Sequence, residues 1–509
     1  MQKSSKKPAP KVQYVSPSQM TIEGFETPFS KHLDSGNRWV TMSKSIPWDE
    51  ICGVYRKQFG STTEGPKPIN GRIIIGALII KHMLNLDDRE TIDQIKENVY
   101  MQYFLGYSSF TTDAPFDPSL FVTIRNRLGI NELNAINEKI LAIKTNLNNK
   151  ESKTPSDNQQ KDTNNDNNDI PANKGRVIFD ATACPQDIAY PTDLNLLSDA
   201  REKSEELIDK LYNVSLHNKK PRTYREIARK NYLQTAQMKN KTGKKIRKAV
   251  KKQLGYLDRN IYSINKLLDA YPTIPLDRQG LKYFFVIQTL FAQQKEMYQN
   301  CIRSIDDRIV SIHQPYVRPI VRGKSQAKVE FGSKIHISLV EGITFLDELS
   351  WDAFNEGSHM MQYVEQYRKR FGFYPKEILA DKIYCTRENR IALKEKGIAL
   401  IGKPLGRPSA VADHISPGER NPVEGKFGQA KTAYGLNRIR ARLKGTSQSW
   451  IASIILVLNL VKLAGSVPLY LINKGTIKFY IFMKKWKIVF LELFLNEKIF
   501  YCCVLKHSG

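Results

Sequence analysis

One low-complexity segment divides this chain into two parts that must fold separately. Residues 146–173 are dominated by Asn, Asp, Lys, Ser and Gln and contain no aromatic residue. Such a segment cannot bury enough apolar surface to offset the conformational entropy lost on folding. We therefore predict a linker over residues 150–175, with a folded part on each side.

The charge of the chain indicates an anionic partner. The 509 residues contain 78 Lys and Arg against 51 Asp and Glu, which gives a formal net charge of +27. A field of this sign attracts phosphate polymers, so nucleic-acid enzymes, ribosomal proteins and membrane-surface proteins all stay open. A hydrophobic content of 41% argues against a wholly disordered chain.

The cysteines and the apolar segments narrow the class further. The six cysteines have no structural-zinc spacing, and the Lys- and Pro-rich start lacks the apolar core of a secretory signal, so we expect a cytoplasmic protein. The apolar stretch 449–463 is interrupted by Asn459 and Lys462 and is too short to span a bilayer. We predict that it is a buried helix and that the protein has no membrane partner.

The part before the linker has helical periodicity. Apolar residues are densest over 73–86, and a later segment carries Arg125 and Arg127 before Gly129. We predict an all-α domain over 46–149, after a flexible basic arm over 1–45. The two arginines are candidate phosphate contacts, although a solvated basic helix face explains them about equally well.

The part after the linker combines strand and helix patterns. Short apolar runs at 176–179, 327–340, 343–351, 377–380 and 398–402 predict strands, with helices between the later ones. Residues 194–310 have a helical pattern and predict an insertion after the first strand. We predict an α/β domain over 176–465, followed by a tail, 466–509, to which the sequence assigns no role.

The insertion contains the most basic part of the chain. Residues 217–252 include fourteen Lys and Arg and one acid, Glu226. The block is either a solvated helical surface or an arm that follows a phosphate backbone, and its charge density favours the arm. Its candidate phosphate contacts are Lys244, Lys245, Arg247 and Lys248.

Three carboxylates are candidates for one metal site. Asp180 and Asp381 each follow a short apolar run, and Glu424 begins a basic helix in which Lys431 lies two turns later on the same face. Phosphodiester cleavage by two divalent ions about 4 Å apart requires acidic side chains that hold both ions. Each aspartate taken alone is more simply a turn residue, and Glu424 is equally a helix-capping residue.

The motifs around these acids resemble those of the DDE transposases of bacterial insertion sequences. That family has a Tyr-x2-Arg-x3-Glu-x6-Lys signature, which Arg420, Glu424 and Lys431 match in register, whereas Pro417 stands at the tyrosine position. The sequence Ala-Asp-Lys-Ile-Tyr around Asp381 also matches the family pattern. The resemblance extends over nearly the whole chain, and includes the loop 402–408 with Lys403 and Arg407.

This resemblance implies a fold and a chemistry. The fold is an α/β catalytic core with a ribonuclease H-like mixed sheet flanked by helices, an all-α N-terminal domain and a long helical insertion. Asp180, Asp381 and Glu424 would bind two Mg²⁺ ions, with Mn²⁺ able to substitute. Double-stranded DNA, as element ends and target, would be the partner of a homodimer in the bacterial nucleoid. Phosphate contacts would come from Arg420, Lys431, Lys403 and Arg407.

Two other functions stay open at this point. A DNA-binding protein descended from a transposase would no longer cut, and the intact acids argue against it. A metal-dependent nuclease with the same core would cut without pairing two DNA ends. The helical N-terminal domain and the long basic insertion favour the transposase.

Overall fold

The computed structural model describes residues 32–57, 69–151, 172–321, 329–402 and 417–465. The chain divides into two compact units. The first comprises residues 1–120, 135–160 and 456–509, and the second comprises 121–134 and 161–455. Most of the predicted linker, the predicted tail and the loop with Lys403 and Arg407 lie outside the described residues.

The described elements of the first unit are helices, although this unit differs from the predicted domain 46–149 because it lacks residues 121–134. Its helices are α1 (Arg38–Ser45), α2 (Trp48–Arg56), α3 (Gly71–Leu84), α4 (Asp88–Glu97) and α5 (Val99–Leu105). Helix α1 lies before the predicted boundary at residue 46, and its Trp39 is buried and packs 5.2 Å from the ring of Phe104. Trp48 lies 5.2 Å from the same ring, so Phe104 joins three helices of this unit.

The central helix of this unit corresponds to the segment in which the sequence has its densest apolar pattern. In α3, Asn70 accepts a hydrogen bond from the Arg72 backbone at the start, and Asn85 ends the helix in the left-handed conformation. Residues 73–75 and 77–80 are almost completely buried, which explains why this segment is apolar on every face.

Two further helices precede the second unit's sheet in the chain. They are α6 (Leu120–Arg127) and α7 (Ile130–Glu151). Within the first unit, Asn137 of α7 accepts a hydrogen bond of 3.0 Å from the buried amide of Asn459. Asn459 lies on the last helix described, α15 (Lys444–Gly465).

Helix α15 is the one described helix whose length and composition would allow it to cross a membrane. Its apolar window is 78% buried inside the protein, which is typical of a core helix. The prediction of a buried helix over 449–463 is therefore confirmed.

The second unit contains a mixed six-stranded sheet. Its strands are β1 (Arg176–Pro185), β2 (Arg318–Val321), β3 (Val329–Val340), β4 (Ile343–Ser350), β5 (Glu377–Leu379) and β6 (Ala399–Ile401). The order is β2-β3-β1-β5-β6, and β4 pairs with β3. β1 is antiparallel to β3 and parallel to β5, which is parallel to β6. This mixed sheet with flanking helices confirms the predicted fold class, including the hairpin β3–β4.

Helices follow the later strands in the predicted order. They are α12 (Met360–Phe371), α13 (Arg387–Glu395) and α14 (Asn421–Thr432). Helix α14 packs on β1. The buried side chains of Val423 and Ala430 lie on this helix.

The predicted insertion is a group of four helices between β1 and β2. They are α8 (Asp193–Leu211), α9 (Arg225–Ala236), α10 (Gly243–Leu268) and α11 (Arg278–Asn300). Leu197, Leu257 and Ile287 are completely buried in a shared apolar core of these helices. The insertion therefore has a core of its own, and its basic side chains need not contribute to it.

Candidate active site

Asp180 of β1 and Asp381, which follows the end of the neighbouring parallel strand β5, occupy equivalent register positions. Ile178 of β1 is the partner of Leu379 of β5, and each aspartate lies two residues beyond its member of that pair. Residues of the same parity point to the same face of a sheet. The two aspartates are therefore brought side by side by strand register.

The prediction that Asp180 ends a strand was wrong. β1 continues to Pro185, because residues 177–185 pair antiparallel with β3, and Asp180 is the partner of Ile337. What ends near Asp180 is the shorter parallel pairing with β5. The two aspartates thus lie at the point where β5 ends and the neighbouring strand β1 continues.

A guanidinium links the two carboxylates. An Arg420 nitrogen lies 3.1 Å from an Asp381 carboxylate oxygen, and another lies 3.6 Å from an Asp180 oxygen. Arg420 is the N-cap residue of α14, and α14 is held against β1 by its buried face. The side chains of Arg420 and Asp180 are 19% and 20% exposed, whereas that of Asp381 is 60% exposed. The pair Arg420–Asp180 is therefore shielded from water and the pair Arg420–Asp381 is not.

The environment of Asp180 disfavours a negative charge. Burial raises the pKa of its carboxyl, whereas the Ala181 backbone N–H, the Arg420 guanidinium and His336 lower it, and Asp381 raises it. The Ala181 N–H donates to the carboxylate at 2.8 Å. The net pKa stays above the ordinary value, so the positive charge already present does not fully compensate the buried carboxylate. A further cation at this position would stabilise its ionised form.

Asp381 is held by its own backbone surroundings. It is the N-cap of a short 3-10 helix, Lys382–Tyr384, and accepts a 2.7 Å hydrogen bond from the Lys382 N–H. Its other contact is the Arg420 guanidinium, so its carboxylate is oriented from two sides. The family motif Ala-Asp-Lys-Ile-Tyr is thus a strand end followed by a tight helical turn.

Glu424 lies on the neighbouring helix in the first turn of α14. Its side chain is exposed, and Lys431 lies farther along the same helix with a half-buried side chain. Among the described residues, no group of three or more His, Cys, Asp and Glu side chains has the arrangement of a metal site. The structure therefore brings together two of the three predicted acids, with the third on an adjoining element.

The donor set fits a divalent cation in one respect. Two carboxylates already share one positive group, Arg420, and oxygen ligands of this kind are those that Mg²⁺ prefers. Asp180 and Asp381 are the two side chains here that could hold such an ion together. Arg420 contacts both aspartates.

The predicted phosphate contacts have different surroundings. Lys244, Lys245, Arg247 and Lys248 of α10 are all exposed, and so is Arg127 of α6. Arg125 is 5% exposed, and its guanidinium lies 5.5 Å from the centroid of the Trp450 ring. Its buried position does not favour the predicted contact with a phosphate, because its guanidinium packs inside the protein.

A buried polar cluster behind Asp180 was not predicted. His336 is completely buried, stacks on Tyr363 at 3.5 Å and lies 3.1 Å from a carboxylate oxygen of Asp347. The Tyr384 hydroxyl is also buried and has no hydrogen-bond partner among the described residues. Burial raises its pKa, and the nearby charges that include Asp180 raise it further. The tyrosine of the Ala-Asp-Lys-Ile-Tyr motif was the only sequence signal for this cluster.

Comparisons with known proteins agree with this geometry. Residues 378–461 match a family model described as a transposase DDE domain, and this range includes Asp381, Arg420 and Glu424. Residues 27–127 match a second model, described as a transposase domain of the DUF772 type. Asp180 lies outside both matched ranges.

One curated relative is an uncharacterized protein, ORF8 in the nfe locus of Rhizobium meliloti. It is 28% identical over 163 residues, which make up 31% of this chain and 66% of the relative, slightly less than two thirds of its length. No solved structure gives a significant match to this chain.

Proposed function

From the two matched domains we infer that the chain is a DDE transposase of the insertion-sequence type, and we propose that it cuts DNA at the ends of its element and joins them to a target. The observation that carries this proposal is that Asp180 and Asp381 both contact one positive group, the Arg420 guanidinium, at the edge of a mixed sheet. The resemblance supplies the identity of the DNA ends as substrate.

The chain's own residues have distinct parts in this chemistry. Asp180 and Asp381 supply negative charge at one point of the sheet, and Glu424 adds a third carboxylate from α14. Two divalent ions held there would supply the positive charge that activates a water molecule and stabilises the leaving oxyanion. Arg420, once displaced from the aspartates, would contact the scissile phosphate, with Lys431 on the same helix beside it.

The reaction has two steps that need no covalent protein intermediate. In the first, water attacks phosphorus at the element end, and the bond to the 3′ oxygen breaks to leave a 3′-hydroxyl. In the second, this hydroxyl attacks a target phosphodiester and displaces a target 3′ oxygen. Both steps develop negative charge on the oxygens of the reacting phosphate. Cations held by one set of carboxylates would therefore stabilise both steps.

The DNA away from the cut would be held by other surfaces. We propose that the helical N-terminal domain recognises the element ends, that Arg127 of α6, which belongs to the second unit, is an exposed phosphate contact, and that the basic part of the insertion binds duplex without regard to sequence. A homodimer would bring the two ends together. Replacing Arg127 by Gln in the full chain should weaken binding to terminal duplex.

The test compares three variants with two matched controls. Asp180→Asn, Asp381→Asn and Glu424→Gln should each abolish Mg²⁺-dependent cleavage and strand transfer on a labelled element-end duplex, while DNA binding persists. The physical reason is that an amide keeps the size of the side chain but loses the charge that holds a hard cation.

The controls are Asp187→Asn and Asp193→Asn. Both acids lie near Asp180 in the sequence, but Asp187 pairs with Arg438 at 2.9 Å and Asp193 pairs with Arg308 at 2.7 Å. These variants should keep activity. Full activity in any of the three main variants would refute the shared site, cleavage without strand transfer would indicate a nuclease, and binding without cleavage by the unmodified protein would indicate an inactive descendant.

A further inference from the structure

Two tyrosines and two arginines alternate on the surface of the helical insertion. The Arg222 guanidinium lies 4.5 Å from the centroid of the Tyr224 ring, and the Arg259 guanidinium lies 5.3 Å from the same centroid. Arg259 also lies 4.9 Å from the centroid of the Tyr256 ring. The order of contacts is Arg222, Tyr224, Arg259 and Tyr256, and we call this group the Arg–Tyr ladder.

The outer part of the ladder faces solvent. Tyr224 is 37% exposed, and Arg222 and Arg259 are exposed. Tyr224 has a φ of 53°, which is unusual for a bulky residue, and its side chain makes no capping hydrogen bond to α9. Neither core packing nor helix capping therefore accounts for the position of this ring.

The inner part of the ladder is fixed in place. The Tyr256 hydroxyl accepts a 3.0 Å hydrogen bond from the Asn231 amide, and the Lys252 ammonium donates to the Asn231 carbonyl oxygen at 2.9 Å. These contacts join α9 to α10. The ring of Tyr256 is thus held in position before any ligand arrives.

The surroundings of the ladder are strongly basic. Arg225, Arg229 and Lys230 of α9 are exposed beside it, and residues 217–252 contain one acid, Glu226. Aromatic rings and guanidinium planes inside a basic surface are the two groups on which unpaired nucleic-acid bases stack. In an intact duplex the bases are already stacked on each other, so only an unpaired base is available to stack on the ladder.

We propose that the Arg–Tyr ladder is a stacking site for an unpaired base of a DNA strand. The base stacks on the exposed Tyr224 ring, and the guanidiniums of Arg222 and Arg259 contact the adjacent phosphates. This inference rests on the proposed function and adds to it: the insertion binds a strand whose bases are exposed near the cut, besides duplex. Recognition by stacking is independent of sequence, because every base has a planar face.

The experiment measures binding of the full chain to three fluorescent DNAs of equal duplex sequence. One is blunt, the second has a short single-stranded extension with bases, and the third has the same extension with abasic positions. The abasic extension keeps the phosphates and removes the bases, so charge is matched. We expect the extension with bases to bind about tenfold more tightly than the abasic one, from the usual strength of base–aromatic stacking.

Variants locate the effect. Tyr224→Ala should remove the difference between the two extensions, and Tyr224→Phe should keep it because the ring is retained. The matched control is Tyr262→Ala, which removes a 60% exposed tyrosine of α10 that lies 4.9 Å from Lys266 and belongs to no ladder contact. This control should keep the difference.

Equal affinity of the unmodified chain for both extensions would overturn the proposal, and that comparison requires no variant to fold. Loss of the difference in Tyr262→Ala to the same extent as in Tyr224→Ala would also overturn it. Failure of the blunt duplex to bind would instead contradict the proposed function, so the two failures are distinguishable.

Discussion

Removing Arg420 should make the protein less stable without divalent metal and more responsive to it. In Arg420→Ala the two aspartates lose the cation that they share at 3.6 and 3.1 Å. The pair with Asp381 contributes roughly 0–1 kcal/mol, because that carboxylate is 60% exposed. The loss of the partner of Asp180 costs more, about 1–3 kcal/mol, because that carboxylate is only 20% exposed.

A divalent ion should compensate this loss. At a Mg²⁺ concentration about 100 times its dissociation constant, binding to the folded state adds about 2.7 kcal/mol. Arg420 competes for the same carboxylates in the unmodified protein, whereas in Arg420→Ala nothing opposes the ion. The rise in melting temperature from EDTA to Mg²⁺ should therefore be larger for Arg420→Ala than for the unmodified protein.

The measurement is thermal unfolding by circular dichroism across a Mg²⁺ titration. The matched control is Arg438→Ala, which also removes an arginine paired with an aspartate, Asp187, but at an arginine that is 64% exposed. Its response to Mg²⁺ should equal that of the unmodified protein. Equal responses in all three proteins, or none in any, would refute the idea that Arg420 occupies the place of a cation.

Three further changes have defined outcomes. Asp180→Asn should raise the melting temperature in metal-free buffer at pH 7, because burial raises the pKa of this carboxyl and its ionisation therefore costs stability at any pH above the ordinary carboxyl pKa. The gain should shrink as the pH falls towards the ordinary carboxyl value, and a gain that is constant with pH would contradict this cause. Gly332→Ala should destabilise the sheet, since a Cβ there would overlap the Cys184 carbonyl oxygen, and an unchanged unfolding midpoint in urea would show that β1 and β3 separate easily. The last change replaces four exposed basic residues of α10 by Gln: Lys244, Lys245, Arg247 and Lys248. It should flatten the salt dependence of duplex binding by up to about 3.5 in log–log slope, and an unchanged slope would mean that these residues are only solvated surface.

The sequence predicted which segments form the site better than it predicted how the strands of the site pair. Apolar runs before Asp180 and Asp381 were sufficient to predict strands β1 and β5, because that pattern is local, and Asp381 lies two residues beyond the end of β5. The continuation of β1 beyond Asp180 was not predictable from Ala181 and Thr182, since it results from pairing with β3, more than 150 residues later. Local patterns carry no information about such a partner.

Two other differences have the same origin. Strand β2 was not predicted because it is four residues long and contains Pro319. A proline is tolerated there because β2 is an edge strand, with β3 as its one neighbour among the described strands. Within its own segment, Arg125 cannot be distinguished from an exposed basic residue. It is buried because its guanidinium packs on Trp450 of α15, which comes much later in the chain. Charge alone therefore identified the candidate surface but not which of its members are exposed.

The shared register of the two aspartates sets where this chain can tolerate changes of length. The helical insertion enters after β1 has ended and leaves before β2, so lengthening, shortening or exchanging it leaves the pairing of Ile178 with Leu379 intact. One residue added between Ile178 and Asp180 would turn that aspartate to the opposite face of the sheet. Engineered or natural variants should therefore differ freely in the size of the insertion, while the two short segments that lead to the acids keep a constant residue count.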